Sequence, residues 1–195
     1  MSITTTEVDA RDRADMERLA AGVDTALNDL MERHATPVFH FLCRMLGSED
    51  DAADLAQETF VRVYRARGRF RTSEKFSTWL YTIAANLARN HFRWRSRHPT
   101  VSLEPKSDLS ESSLPEPVSK ELPPDRQAQM AERAEQVREA VRNLPPEMRE
   151  VIVLCEWEDR TVAEAAAILE TTPKSVESHL YRARQHLRKQ LARWL

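Results

Sequence analysis

The sequence predicts an all-α protein in which two small helical domains are joined by a flexible linker rich in Pro, Ser and Glu. Only three of the 195 residues are Gly, which disfavours arrays of tight β-hairpins and Gly-rich phosphate-binding loops. Apolar residues recur at helical spacing on both sides of the middle of the chain. Six of the ten prolines lie between Pro99 and Pro124, in a stretch too poor in apolar residues to build a core. We therefore expect a polar N-terminal extension, an N-terminal domain, a linker and a C-terminal domain, at 1–23, 24–98, 99–126 and 127–195.

The N-terminal domain is predicted to be a series of amphipathic helices. Two helical segments precede Gly47, with apolar positions over 27–34 and over 38–46. Ser48, followed by an acidic residue three positions later, is a capping pattern that begins the next helix. A longer helix over 75–95 then carries apolar residues at i, i+3, i+4 and i+7, so one of its faces is expected to be buried.

The second face of this long helix is polar and basic. It consists of Asn86, Arg89, Asn90, Arg93 and Arg97. Although the net charge of the chain is −2, residues 62–97 contain ten basic residues and one acidic residue. Residues 174–195 contain six basic residues and one acidic residue. Two basic segments in a nearly neutral chain indicate two contacts with nucleic acid.

The C-terminal domain is predicted to end in a helix-turn-helix. A helix over 125–143 is followed by a second helix that begins at Pro146 and by a short helix over 161–169. A three-residue turn then leads to a longer helix over 173–193, for which Thr172 is a natural N-cap. The last helix has a polar, basic outer face, and the second helix of such a motif can enter the major groove of DNA.

Neither catalytic chemistry nor a cofactor is expected from the residues. Cys43 and Cys155 are too far apart in sequence to form a close-spaced metal pair, and both are expected to be buried small hydrophobic residues. No His or further ligand lies at helical spacing from the carboxylates of Asp51, Asp54 and Glu58, so we predict no metal and no acid–base site. No secretory signal or transmembrane run is present in the sequence, which predicts a reducing cytoplasm as the compartment.

Three ordered motifs resemble the extracytoplasmic-function (ECF) group of bacterial sigma factors. The run DAADLAQETFVRVY (51–64) is similar to the helix that binds core RNA polymerase, and FSTWLYTIAANLAR (76–89) is similar to the promoter-melting helix. The run LPPEMREVIVL (144–154), with the helix-turn-helix through Leu187, resembles the C-terminal domain of these factors. The resemblance implies a transcription initiation factor, not an enzyme, that directs core polymerase to promoters. It would recognise the −10 and −35 elements and aid DNA melting.

The resemblance also implies which residues make each contact. Polymerase binding falls to Asp51, Asp54, Gln57, Glu58, Phe60, Val61 and Tyr64. Contact with the −10 element falls to Trp79, Tyr81, Asn86, Arg89, Asn90, Arg93, Arg95 and Arg97. Contact with the −35 element falls to Lys174, Ser175, Glu177, Ser178, His179, Tyr181, Arg182 and Arg184.

Two positions depart from the usual pattern of the family. Glu170 stands where family members usually have Gly, so it must accept a left-handed backbone or the turn must differ. Glu177 stands where a basic residue is common, and it can accept a hydrogen bond from cytosine or repel phosphate. The promoter sequence therefore does not follow from the chain. The resemblance further implies a restraining partner, often an anti-sigma factor, and a location in the cytoplasm, free or held at the membrane by that partner.

Three alternative functions make different demands on the sequence. A dimeric helix-turn-helix regulator of duplex DNA would need neither the polymerase-binding helix nor the basic amide face before Pro99. A helical interaction protein without a nucleic-acid partner would leave both basic segments without a role. An enzyme would need a nucleophile–base pair or a metal cluster.

Overall fold

A computed structural model of the chain describes residues 5–98 and 124–192, and all the regular secondary structure in these residues is helical. The helices are α1 Thr5–Ala20, α2 Ala26–Leu46, α3 Glu49–Ala66, α4 Phe76–Arg97, α5 Pro124–Arg142, α6 Pro146–Glu156, α7 Val162–Ile168 and α8 Pro173–Gln190. The all-α prediction is therefore confirmed. Most of the predicted linker, 99–123, lies outside the described residues, and its last three positions belong to α5.

The predicted polar extension contains a helix that packs against the N-terminal domain. Met16 and Leu19 of α1 are buried, and so are the carboxylates of Asp12 and Asp15. The buried positions recur at helical spacing, but half of them are acidic, so hydrophobicity alone did not indicate a packed helix.

Helix α2 is continuous through Pro37, so the prediction of two helical segments was wrong. Proline removes one intrahelical hydrogen bond. Leu30 and His34 before Pro37, and Val38 and Phe41 after it, are all buried, and this packing outweighs the local cost of the proline. Gly47 then ends the helix with a φ of 70° and donates its N–H to the carbonyl of Cys43.

The core of the N-terminal domain forms where α2, α3 and α4 meet. Phe41 of α2 and Tyr81 of α4 make an edge-to-face contact with ring centroids 5.2 Å apart. Phe60 and Val63 of α3 are buried in the same core. The hydroxyl of Ser48 accepts a hydrogen bond from the backbone N–H three residues later, as the capping pattern predicted.

The C-terminal domain is the expected helix-turn-helix. Thr161 and Glu164 form a reciprocal capping box at the start of α7. The side chain of Thr172 accepts a hydrogen bond from the N–H of Ser175 and caps α8. Val176, Leu180 and Ala183 form the buried face of α8, which fixes the opposite face of that helix toward the outside.

The two domains pack directly against each other, which the sequence did not predict. Helix α4 contacts α7, and α2 contacts α5 and α6. The buried apolar residues of both domains form one continuous cluster. Charge complementarity adds to this contact, because Lys75 Nζ lies 2.9 Å from Glu164 Oε1 and Arg44 Nη1 lies 3.1 Å from Glu158 Oε1.

Candidate functional site

The outer face of α3 combines acidic, amide and apolar side chains. Asp54, Gln57 and Val61 are exposed at i, i+3 and i+7. Glu58 is half-buried and accepts a hydrogen bond of 2.8 Å from Arg62 Nε. Val61 is one of the few large apolar side chains left exposed, at 38%. This face offers negative charge around a small apolar centre.

The other three residues predicted for this face of α3 lie differently. Phe60 is only 4% exposed and belongs to the core, so it supports the helix and cannot touch a partner directly. The carboxylate of Asp51 turns toward α4, with Oδ2 3.5 Å from both His91 Nε2 and Arg95 Nη1. The hydroxyl of Tyr64 donates to Asp24 at 3.2 Å.

The C-terminal half of α4 is an exposed basic surface. Asn90, Arg93, Arg95 and Arg97 are all exposed. The helix contains no Asp or Glu at all, so within α4 nothing opposes an anionic ligand. The backbone carbonyl of Arg93 accepts a 3.1 Å hydrogen bond from Arg97 Nε, which leaves the other guanidinium nitrogens free for contact.

The two aromatic residues predicted to contact the −10 element are packed. Trp79 is half-buried against Phe70, with ring centroids 5.4 Å apart. Tyr81 is 1% exposed. Its hydroxyl donates to Glu158 Oε2 at 2.6 Å, and the guanidinium of Arg160 lies 4.6 Å from its ring centroid. Burial and the carboxylate of Glu158 raise the pKa of Tyr81, so the hydroxyl stays a donor.

Arg89 is also engaged by the C-terminal domain. Its Nε donates to Glu150 Oε1 at 2.8 Å, and its Nη1 donates to Asn86 Oδ1 at 3.0 Å. Glu150 is 6% exposed. Burial raises the pKa of Glu150, and the bond from Arg89 lowers it in part. In this arrangement Tyr81 is covered, and Arg89, with 22% of its side chain exposed, is held by Glu150 and Asn86, so neither is free to bind DNA.

A groove of about 510 Å³ runs between α4, α6 and the start of α8. Ser175 and His179, two of the residues predicted to contact the −35 element, line this groove opposite Arg93. Ser175 and His179 therefore lie at the edge of the outer face of α8, on the side that faces α4, whereas the other residues predicted to contact the −35 element do not line the groove.

The outer face of α8 brings together five of the residues predicted there. These exposed residues are Lys174, Glu177, Ser178, Tyr181 and Arg182. They follow i, i+3, i+4, i+7 and i+8, so they share one helix face. Tyr181 is 67% exposed. Arg184 lies at the edge of this face, where its Nη2 is 2.6 Å from Glu156 Oε1.

The turn before α8 is built with a left-handed residue. Glu170 has a φ of 54°, a conformation that glycine adopts without cost and other residues adopt with strain. The N–H of Thr171 reaches back to the carbonyl of Ala166 at 2.9 Å. The turn therefore has the left-handed geometry that glycine would allow, although Glu occupies the position.

The environment of Trp94 departs from the burial predicted for the apolar face of α4. Trp94 continues the apolar stripe of α4, yet it is 51% exposed, because the last turns of α4 extend past the helices that cover the rest of the stripe. The signal was present in the sequence, since Arg93, Arg95 and Arg97 surround it.

Two other classes of site are absent from the part of the chain that the structure describes. Over 5–98 and 124–192, no group of three or more His, Cys, Asp and Glu side chains is arranged to hold a metal ion. Over the same ranges no helix is long and apolar enough to cross a membrane.

Comparison with known proteins matches both domains. The family described as Sigma-70 region 2 matches residues 30–98, and the family described as Sigma-70, region 4 matches residues 134–187. RNA polymerase sigma factor CarQ of Myxococcus xanthus is 32% identical over 90% of this chain and 95% of its own length. The ECF RNA polymerase sigma-E factor of Haemophilus influenzae is 32% identical over 89% of this chain and 92% of its own length. The structure of CnrH in complex with the cytosolic domain of CnrY is similar with a TM-score of 0.67 and 28% identity, over 93% of this chain and 97% of that chain.

Proposed function

The chain belongs to the ECF sigma factors and directs RNA polymerase to promoters, and we propose how its helices divide that work. Helix α3 binds the core polymerase, α4 contacts the −10 element and α8 contacts the −35 element. The observation that carries this division is the pattern of exposure, because each of the three helices presents a separate polar face. The two matched sigma regions do not support a dimeric regulator that acts without polymerase.

The polymerase contact is assigned to the exposed face of α3. Asp54, Gln57 and Glu58 surround Val61, and a small apolar centre with a charged rim is typical of a protein interface. Asp51 acts indirectly, since its carboxylate faces His91 and Arg95 of α4.

The −10 contact is assigned to α4 in two parts. Asn90, Arg93 and Arg97 are accessible in the described arrangement, so they can bind phosphates and base edges directly. Arg89 and Tyr81 become accessible only when the C-terminal domain moves away, because Glu150 and Glu158 hold them. We therefore infer that the two domains separate when the chain binds polymerase and promoter.

The −35 contact is assigned to the outer face of α8. Ser178 and Arg182 can reach base edges and phosphates, as the second helix of a helix-turn-helix does. Glu177 precedes both on the same exposed face, where it favours a cytosine amino group over a phosphate. Ser175 and His179 line the groove that faces α4, so we assign them a secondary role in binding the −35 element.

Three further parts of the proposal follow from family membership. We expect a restraining partner, an anti-sigma factor, and the structure of the related CnrH was solved with the cytosolic domain of another protein. The protein acts in the cytoplasm, where polymerase and promoters are, either free or held at the membrane by that partner. It has no enzymatic activity of its own, and its effect is exerted through polymerase.

Binding to core polymerase tests the assignment of α3. Size-exclusion chromatography with sigma-free bacterial core polymerase compares the wild-type chain with Asp54→Arg/Glu58→Arg. The double variant places two cations on an acidic face and should abolish comigration. The control is Glu132→Arg/Glu139→Arg, which makes the same change in charge at exposed positions of α5 and should comigrate like the wild type.

The outcomes separate the proposal from its alternatives. Loss of comigration in the α3 variant alone supports the assignment. Equal comigration of all three proteins would place the polymerase contact elsewhere. If a folded wild-type chain failed to comigrate but bound duplex DNA tightly, the dimeric regulator would replace the present proposal.

A further inference from the structure

We propose that the indole of Trp94 is a stacking site for an unpaired DNA base. The inference rests on the proposed role of α4 and adds a contact that the basic residues cannot make. Arginine and asparagine side chains bind phosphates and base edges, whereas a flat, exposed aromatic ring binds the face of a base.

The indole is held in place and half exposed. The ring of His98 stacks on it with centroids 5.1 Å apart and an angle of 25° between the planes. His98 is itself anchored, because its Nδ1 and its backbone nitrogen each lie 3.0 Å from the carbonyl oxygen of Trp94. One face of the indole is thus covered, and half of the residue's surface remains open. A ring that is already ordered loses little conformational entropy when it binds.

The surroundings of the indole are cationic. A shallow depression of about 700 Å³ is lined by Asn90, Arg93, Trp94, Ser96 and Arg97. None of these residues is acidic, and α4 itself contains no carboxylate. An aromatic plane among guanidinium groups matches a ligand that carries both flat faces and negative charge, as a nucleic-acid strand does.

The ligand is a single strand and not a duplex. The faces of the bases in a duplex are covered by their neighbours, and only unpaired bases offer a face to a side chain. Trp94 is accessible while the two domains are packed together, in contrast to Arg89 and Tyr81. The site can therefore be tested on the free chain.

Fluorescence anisotropy with labelled oligonucleotides tests the stacking contact. The full chain is titrated into a fluorescein-labelled 12-nucleotide dA strand and into a strand of the same length with abasic sugars, which has the same phosphates and no bases. Trp94→Leu keeps an apolar side chain but removes the aromatic plane, and it should weaken binding of the dA strand about tenfold. Trp94→Tyr should restore binding to within about threefold of the wild type.

The control is Met130→Ala, which removes an exposed apolar side chain of α5, outside the surfaces assigned to DNA. It should leave binding of the dA strand unchanged. Binding of the abasic strand should be the same for the wild type and Trp94→Leu, and circular dichroism melting should show that the variants fold equally well.

Several results would overturn the inference. Equal binding of the dA and abasic strands by the wild-type chain would exclude a contact with bases. Equal weakening of both strands by Trp94→Leu would show that Trp94 only supports the arginines that bind phosphate. The polymerase assay on the same wild-type protein separates the two proposals. Comigration with an unchanged Trp94→Leu affinity refutes only the stacking site, and absence of comigration refutes the proposed function.

Discussion

At the scale of single residues, Glu170 shows how a local rule can be broken without loss of the fold. Its φ of 54° costs about 1 kcal/mol in a residue with a side chain. The caps on both sides, Thr161 for α7 and Thr172 for α8, are in place. The helix-turn-helix is therefore determined by its caps and its buried faces, and the strain at Glu170 is tolerated.

Replacing this glutamate with glycine should stabilise the C-terminal domain. We expect Glu170→Gly to raise the free energy of unfolding by about 0.5–1 kcal/mol, because glycine adopts the left-handed conformation without strain but is more flexible when unfolded. Urea denaturation followed by circular dichroism measures the change. Ala167→Gly, at an exposed position inside α7, is the matched control and should destabilise by about 1 kcal/mol. Destabilisation by both variants would show that Glu170 makes a favourable contact that outweighs its strain.

At the scale of elements, α1 is held to α2 by a buried network of charges. The carboxylate of Asp12 is fully buried and accepts a 2.8 Å hydrogen bond from Arg33 Nε. His34 Nε2 lies 2.8 Å from the other oxygen of Asp12. Arg33 also reaches Asp15 at 2.5 Å. Burial lowers the pKa of Arg33, but the hydrogen bonds and charges of Asp15 and Asp12 together outweigh burial and raise that pKa above its usual value. A polar helix is thereby anchored with only two large apolar side chains, Met16 and Leu19, fully buried.

Removing the carboxylate at the centre of this network should loosen α1. We expect Asp12→Ala to destabilise the chain by about 2–3 kcal/mol, because it leaves buried donors without their acceptor. Guanidinium denaturation measures the loss, and hydrogen exchange should show faster exchange in α1 and in the facing part of α2. Glu17→Ala on the exposed side of the same helix is the control and should change stability by less than about 0.5 kcal/mol. Equal stability of the two variants would mean that the apolar residues alone anchor α1.

At the scale of the whole molecule, the packed domains cover part of the surface proposed to bind DNA. Glu158 accepts hydrogen bonds from Tyr81 and Arg44, and Glu150 accepts one from Arg89. The acidic residues of one domain thus neutralise basic residues of the other. A DNA phosphate would compete for the same guanidinium groups, so packing of the domains and binding of DNA through Arg89 exclude each other.

Reversing the charge at the domain contact should open the molecule. Glu150→Lys/Glu158→Lys places cations against Arg89 and Arg44, and like charges at this distance repel strongly when partly buried. We expect small-angle X-ray scattering to show a radius of gyration several ångströms larger than that of the wild type. Glu132→Lys/Glu139→Lys on α5 makes the same change in charge away from these pairs and should leave the radius unchanged. An unchanged radius in both variants would show that the apolar cluster alone holds the domains together.

The sequence by itself determined the helical class, the order of the helices from α3 to α8, the caps at Ser48 and Thr172, and the basic face of α4. These features depend on neighbours three or four residues apart in sequence. Hydrophobic periodicity, capping residues and local charge are therefore enough to predict them. The resemblance to sigma factors also rests on local motifs, and the matches to regions 2 and 4 confirm it.

Only the tertiary structure decided which polar residues are buried and which apolar residues are exposed. Asp12 and Tyr81 are buried, Pro37 lies inside a helix and Trp94 lies in the open. Which residues of α3, α4 and α8 contact polymerase and DNA remains a prediction. The physical reason is that burial depends on contacts between residues far apart in the chain, such as Arg89 with Glu150. The spacing of residues within one helix carries no information about what packs against that helix from elsewhere.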